Sequence, residues 1–272
     1  MRAGVDSNGL ATAVESSLPP RLAEAKAIRG FERAFRLHFH PEWSVALVHR
    51  GTSRARIGSA WYEVSAGDIV RIPPFLPHVC NPDRKGHWSY DLLLVEDGEA
   101  AAAPASRPSE AAVVARACAD CRALFREALS LRNARPLLDH LALHEGSSRP
   151  GRISVPKPAI AAAAARLAGD LRRTPHLEDL ARPLGLDAAA FIRSFRREYG
   201  MPPHAWVLCL RISFAKGLLA AGYSLAYAAL EAGFSDQSHL SRHFVRLVGT
   251  TPAAWARANG SSSRGSVSPG FG

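Results

Sequence analysis

Four polar side chains crowded at the start of one short helical pattern are the residues here best suited to reading another molecule. In AGFSDQSHLSRHFVRLVGTTP (232–252), Gln237, Ser238, His239 and Arg242 fall away from the apolar stripe of Leu240, Phe244 and Leu247. Amide, hydroxyl, imidazole and guanidinium groups together supply the donors and acceptors that base edges in a major groove require. A second group is His38, His40 and His78, on strand-like segments near Trp43. Three imidazoles there suit an apolar pocket with a few polar contacts, or the binding of zinc or a similar ion. The plain structural alternative is histidines bonded in a barrel mouth.

The first group needs a turn and two helices to hold it. Leu225 to Ala232 reads as a short helix, Gly233 as a turn, and the polar stretch as the start of a second helix. Ser235 is the expected N-cap, Gly249 ends the second helix, and Pro252 prevents simple continuation. This is a helix-turn-helix, against the simpler alternative of an amphipathic helix pair.

The unit is repeated. LEDLARPLGLDAAAFIRSFRREYGMPPHAW (177–206) mirrors SLAYAALEAGFSDQSHLSRHFVRLVGTTPAAW (224–255). Gly185 matches Gly233 at an offset of 48, whereas Arg193, Phe195, Gly200, Pro203 and Trp206 match Arg242, Phe244, Gly249, Pro252 and Trp255 at 49. One residue has therefore been inserted, in the later copy, between the turn glycine and the second helix of the unit. Ala205 to Ala220 reads as a single helix joining them. Two such units suit successive major-groove segments about 34 Å apart. The tips differ. Ala188, Ala189 and Ala190 in the first can touch a thymine methyl but read no donor or acceptor. Arg193 is its one strong reader, Arg196 and Arg197 suit phosphates, and Pro183 should shorten or bend its leading helix.

Charge follows the same division. Residues 1–148 hold 18 Lys and Arg against 17 Asp and Glu, while residues 149–272 hold 16 against 7. The excess sits with the helix pairs, as phosphate attraction would require, against the alternatives of a soluble basic surface or an anionic membrane or protein partner. The four cysteines form no dense disulfide framework, and the CxxC of Cys118 and Cys121, in an Ala-rich helical pattern, reads as small core-facing residues rather than a redox or metal pair, since no strand or second CxxC accompanies it. The N-terminus lacks the apolar run of a signal peptide, and no stretch approaches the ~20 apolar residues that span a bilayer. The expectation is a soluble cytoplasmic protein.

From Phe31 to about Glu96, short strand-like runs alternate with turn formers, which predicts a small barrel or double-sheet jelly roll. RAFRLHFH (33–40) reads as the first strand, and Leu22 to Ile28 can add a short helix or strand. Ser109 to Leu131 and Pro136 to His144 read as helices; an exposed stripe on the first would make a dimer seam, and simple packing across the barrel is the alternative. The divisions are an arm at 1–30, a barrel with trailing helices at 31–145, a linker at 146–158, an all-α domain at 159–258 and a disordered tail at 259–272. The fold class is α+β and multidomain.

Two stretches resemble cupin motifs: His38-x-His40 running to Gly51, and GDIVRIPPFLPH from Gly67 to His78. Ser44 stands at the usual glutamate position, with Glu42 offset by two residues, and Phe75 stands at the usual glycine of the second motif. GFSDQSHLSRHF followed by TP, with its upstream partner, resembles the AraC/XylS family over about residues 31–257. The resemblance implies a transcription factor without catalytic activity or cofactor. Its cupin-like N-terminal pocket would take a small effector and dimerise, its double helix-turn-helix would bind promoter DNA, and RNA polymerase would be a possible partner. The DNA-contacting set is then Ala189, Ile192, Arg193, Arg196, Arg197, Gln237, Ser238, His239, Arg242 and Arg246, and the effector set His38, His40, Trp43 and His78. The rivals are a cupin metalloenzyme fused to a nucleic-acid module, with metal on His38, His40 and His78, and a DNA-binding adaptor whose barrel only dimerises.

Overall fold

The computed structural model describes residues 21–29, 35–81, 83, 87–96, 112–131, 133–143 and 156–259. The expected arm up to residue 20, the linker up to 155 and the tail from 260 lie outside the described residues.

The N-terminal domain is two antiparallel sheets. One has five strands in the order β1 (Arg21–Ile28), β7 (Ser89–Glu96), β2 (Trp43–Arg50), β5 (Asp68–Ile72) and β8 (Val113–Arg116). The other has β4 (Ala60–Ser65), β3 (Thr52–Ile57) and β6 (His78–Val79). The five-stranded sheet is covered on both faces, so its strands read as nearly continuous apolar runs. Period-two alternation still sorts them. On β2, Trp43, Val45 and Leu47 join Leu22, Ile69, Leu93 and Val95 on the outer face, while Val48 packs inward with Val70, Ile72 and Tyr90. Two helices, α1 (Ala119–Leu131) and α2 (Arg135–Ala142), close the outer face with Cys121, Phe125, Leu137 and Leu141.

Three local expectations change. The 33–40 segment is not a strand where described. Only His38 pairs, by an isolated bridge to His78, because Phe39 leaves the barrel to pack on Trp206 of the C-terminal domain, with ring centroids 6.1 Å apart. The helix expected from Ser109 begins at Ala119. Val113–Arg116 is instead β8, paired with β5, since a short β-branched run next to an open sheet edge satisfies its backbone there. The sheet begins earlier than residue 31: of the two forms expected for Leu22 to Ile28, the strand is the one taken, as β1 pairs with β7 from Arg21.

Seven α-helices follow in the described C-terminal part: α3 (Pro158–Gly169), α4 (Leu177–Ala181), α5 (Ala188–Tyr199), α6 (Pro203–Ala220), α7 (Leu225–Glu231), α8 (Gln237–Val248) and α9 (Pro252–Asn259). The repeat has physical content. Phe195 and Phe244 are both fully buried, Trp206 and Trp255 sit beside them, and Gly200 and Gly249 end α5 and α8 in the left-handed region. Pro183 lies in a 3-10 turn, Arg182–Leu184, that cuts α4 short. At 18 residues α6 is about 27 Å long, a stiff spacer between the units.

Candidate DNA interface and interdomain pocket

Each helix-turn-helix depends on its turn and its cap. Gly233 has φ +77, and a Cβ there would lie 2.1 Å from the Leu171 carbonyl oxygen, so only glycine fits between α7 and α8. The N-cap of α8 is Asp236, not Ser235. Asp236 Oδ1 accepts from the His239 backbone N–H at 2.7 Å, and the Ser235 hydroxyl donates to Asp236 Oδ2 at 3.1 Å. A carboxylate is the better acceptor at the positive end of a helix, and these bonds hold the Asp236 carboxyl below the usual range. The first unit repeats the device: Asp187 accepts from Ala190 N at 2.6 Å. Asp187 and Asp236 share the 49-residue offset, a signal present in the sequence and overlooked for the neighbouring serine.

The cap orients the tip. Gln237, Ser238, Arg242 and Arg246 are exposed on α8. His239 is half-buried, its ring edge-on to Phe234 and His243 and its Nδ1 3.1 Å from Ser235 Oγ, so its orientation is fixed by its neighbours. On α5, Ala189, Arg193, Arg196 and Arg197 are exposed and Ile192 is half-buried. Arg197 reaches the buried Glu198 carboxylate at 3.4 Å.

A cavity of about 530 Å³ lies where the barrel meets the helical domain. His38, His40 and His78 line it, as do Ser44, Ala46 and Val48 from the inner face of β2. Trp43, expected beside the histidines, is on the opposite face of β2, under α1 and α2 and 5.1 Å from the Arg71 guanidinium. The ring Nδ1 atoms of His38, His40 and His78 bond the carbonyls of Arg36, Glu42 and Leu76 at 2.7, 2.9 and 2.8 Å, which leaves Nε2 as the unprotonated nitrogen of each neutral ring. Burial pushes all three below the usual histidine range, His38 to about 4, and each ring's neighbours among the histidines and lysines add to this.

The far wall of the cavity comes from α6, the end of α8, and α9: Ile212, Lys216, Leu247, Val248, Trp255 and Ala258. The domains are joined here by a charge network absent from the sequence reading. Lys216 Nζ lies 3.0 Å from Glu42 Oε1 and 3.6 Å from Glu24 Oε2. Lys26 Nζ lies 2.7 Å from Glu24 Oε1 and donates to the Val248 carbonyl, and Trp255 Nε1 donates to Glu24 Oε1 at 3.0 Å. Burial alone would lower the Lys216 ammonium, but Glu42 and Glu24 outweigh it and hold it above the usual range. For Lys26 burial wins over Glu24, and its ammonium is lowered. Glu42 is therefore committed to Lys216, and Ser44 faces the cavity where a cupin metal site would need a carboxylate. The histidine trio alone makes a weak case for an ion.

The barrel also touches the trailing end of each tip helix. Arg56 donates to the Gly200 carbonyl at 3.2 Å after α5, and the Phe35 ring lies about 3.1 Å from where a Gly249 Cβ would stand after α8. Phe75 holds φ 58 at the position where cupins have glycine, with its N–H on the His40 carbonyl and its ring 5.8 Å from Phe39. A strained residue is thus kept in place by the segment that reaches across the domains.

A β-barrel thus shares a pocket with a helical domain built of two helix-turn-helix units, the architecture of a two-domain helix-turn-helix protein. Residues 26–174 match the model of the AraC-like ligand binding domain, and residues 180–258 match that of a helix-turn-helix domain. The chain belongs to the AraC family of transcriptional regulators. It is 38% identical over 78 residues to the virulence regulon transcriptional activator VirF of Yersinia enterocolitica, covering 28% of this chain and 29% of that protein. It is 32% identical over 114 residues to the transcriptional regulator RipA of Corynebacterium diphtheriae, covering 42% and 34%. These matches span about a third or less of the relatives' length. The fold over 89% of the chain resembles ToxT from Vibrio cholerae, covering 99% of that structure at 12% identity with a TM-score of 0.57.

Proposed function

We propose that this protein is a transcription regulator that binds promoter DNA through α8 and α5 and adjusts that binding when a small effector fills the interdomain cavity. The observation that carries the reading is the shared wall: one cavity is lined by the barrel histidines and by α6, the C-terminal end of α8 and α9. An effector there can favour one arrangement of barrel and helices over another, and that difference in affinity is the switch. The fold-level likeness to ToxT, of which a structure with bound unsaturated fatty acid exists, suits an elongated apolar molecule with an anionic head. Such a head would compete with Glu42 and Glu24 for Lys216.

On DNA, Gln237, Ser238, His239 and Arg242 would read base edges, with Arg246 on phosphate. Arg193 would read from the first unit, Ala189 and Ile192 would contribute apolar contact, and Arg196 and Arg197 would hold phosphates. The protein would act in the cytoplasm, in contact with RNA polymerase at the promoter. Among the described residues no helix is long and apolar enough to cross a membrane. It would act as a homodimer, since Leu129 and Leu131 on α1 and Leu143 after α2 are exposed. Selection of bound duplexes from a random pool tests the reading. It predicts a motif in which one half, under α8, is sharply defined and the other, under α5, is weak. Recovery of no motif refutes it.

A further inference from the structure

We propose that Cys118, Cys121 and His140 form a binding site for a single thiophilic metal ion, Zn²⁺ in the first instance, between the start of α1 and the end of α2. Their ligand atoms all lie within 4.8 Å of one another. The two cysteines do not sit in mid-helix as their sequence suggests. Cys118 precedes α1 and Cys121 lies in its first turn, so the CxxC folds back on itself: the Cys118 thiol donates to Cys121 Sγ at 2.9 Å, and the Cys121 backbone N–H donates to Cys118 Sγ at 3.1 Å. The third group is remote in sequence. His140, in the last turn of α2, brings Nε2 to 3.4 Å from Cys118 Sγ.

The donor set decides the ion. Two thiolates and an imidazole select Zn²⁺ or Cu⁺ over the hard cations. A tetrahedral ion with zinc–sulfur bonds near 2.3 Å would hold its sulfurs about 3.8 Å apart and each sulfur about 3.6 Å from the nitrogen. His140 is already at that separation from Cys118. The sulfurs must open by about 0.9 Å from the 2.9 Å seen here. A rotation of Cys118 achieves this, because it precedes the helix and is half-buried, whereas Cys121 is fixed in the core beside Phe125 and Leu137. The half-buried Cys118 and His140 leave the fourth position to water. A dithiol that merely formed a disulfide would have no use for the imidazole. The ion would clip the two helices that close the outer face of the five-stranded sheet, at a place far in sequence from the histidines of the effector cavity.

The test uses the full-length protein, reduced with a phosphine and stripped of metal, titrated with Zn²⁺ against a chromophoric chelator and separately with Co²⁺. One equivalent per chain is expected, with an intense near-ultraviolet thiolate-to-cobalt band and the strong visible bands of a tetrahedral site. Cys118→Ser and His140→Gln should each weaken Zn²⁺ affinity at least tenfold while circular dichroism stays that of the parent. His140→Gln guards against a folding defect at Cys118, since it alters only a helix end. Three results overturn the proposal: no binding by the reduced parent at micromolar Zn²⁺, unchanged affinity in both variants, or a cobalt complex without the thiolate band. Either of the last two would place any bound ion elsewhere, for instance on His38, His40 and His78.

Discussion

Lys216 Nζ, on the helix that joins the two helix-turn-helix units, lies 3.0 Å from Glu42 Oε1 at the mouth of the barrel. Both side chains are almost completely buried, and Glu24 completes the neutralisation from β1. Such a pair is worth little as a source of net stability, but breaking it strands charge. Lys216→Met should therefore destabilise the chain by about 3–5 kcal/mol in urea unfolding. Adding Glu42→Gln should recover part of the loss, because the stranded carboxylate goes. The same double variant should bind DNA with little response to effector, since the contact that distinguishes the two domain arrangements is gone. Additive losses in the double variant would mean that the two residues do not act as a pair.

Acid should weaken the fold through the cavity histidines. In an unfolded chain they charge near pH 6.5, but in the fold burial delays this, for His38 to about pH 4. Between those values the unfolded chain binds more protons, so stability is intact above about pH 6.5 and falls as the pH drops below it. Each histidine contributes about 1.4 kcal/mol per pH unit in that window. Urea midpoints between pH 7.5 and 4.5 measure the slope, and His78→Gln should make it shallower. A flat profile over that range would show that these rings are not held neutral by burial.

The two turn glycines make a contrast that tests the repeat. Gly185 has φ +66 with open space where a Cβ would go, whereas Gly233 has φ +77 and the Leu171 carbonyl in that place. Gly185→Ala should cost only the left-handed backbone, roughly 1–2 kcal/mol. Gly233→Ala must also push back the 170s loop, which Arg211 holds by donating to the Leu171 carbonyl at 2.9 Å. It should cost more and lower DNA affinity through the displaced α8. Equal thermal shifts for the two would contradict the packing of that turn.

What the chain revealed by itself depended on the range of the signal. The double helix-turn-helix was legible because Phe195 and Phe244, Gly200 and Gly249, and Trp206 and Trp255 carry one local plan at one offset. The barrel was legible as strands and turns, but its edges were not. The 33–40 segment alternates like a strand, yet Phe39 is claimed by Trp206 across the domain boundary. Val113–Arg116 fits either a helix or a strand, and a free edge on β5 decides it. Trp43 and Ser44 are neighbours on opposite faces of β2, so a register unknown from sequence decides which of them meets the cavity. The Glu24–Lys26–Glu42–Lys216 network has no sequence signature, because Lys216 meets the three N-terminal residues only when the two domains dock.

The proposed dimer is testable at the helices that close the outer sheet. Leu131 is 66% exposed and Leu143 85% exposed, an unusual outlay of leucine for a surface with no partner. Leu131→Glu should shift sedimentation toward monomer and weaken binding to a two-site promoter without changing affinity for a single site. A dimer that persists in this variant would move the interface elsewhere.

Arg242 separates base reading from simple attraction. It is exposed in the second turn of α8, whose start is capped by Asp236 and whose position is set by Gly233, so its removal should leave the fold unchanged. If it grips a guanine edge, Arg242→Ala should lower specific affinity by about 1–3 kcal/mol and relax the preference at one position. If it grips a phosphate, specific and non-specific binding should fall together, and the slope of log affinity against log salt should drop by about one. The equivalent change at Arg193 should matter less for discrimination, because Ala188, Ala189 and Ala190 beside it carry no side-chain donors or acceptors. Parallel titrations of the two variants against specific and scrambled duplexes at two salt concentrations decide among these. Loss of discrimination at Arg193 and not at Arg242 would reverse the assignment of the two units.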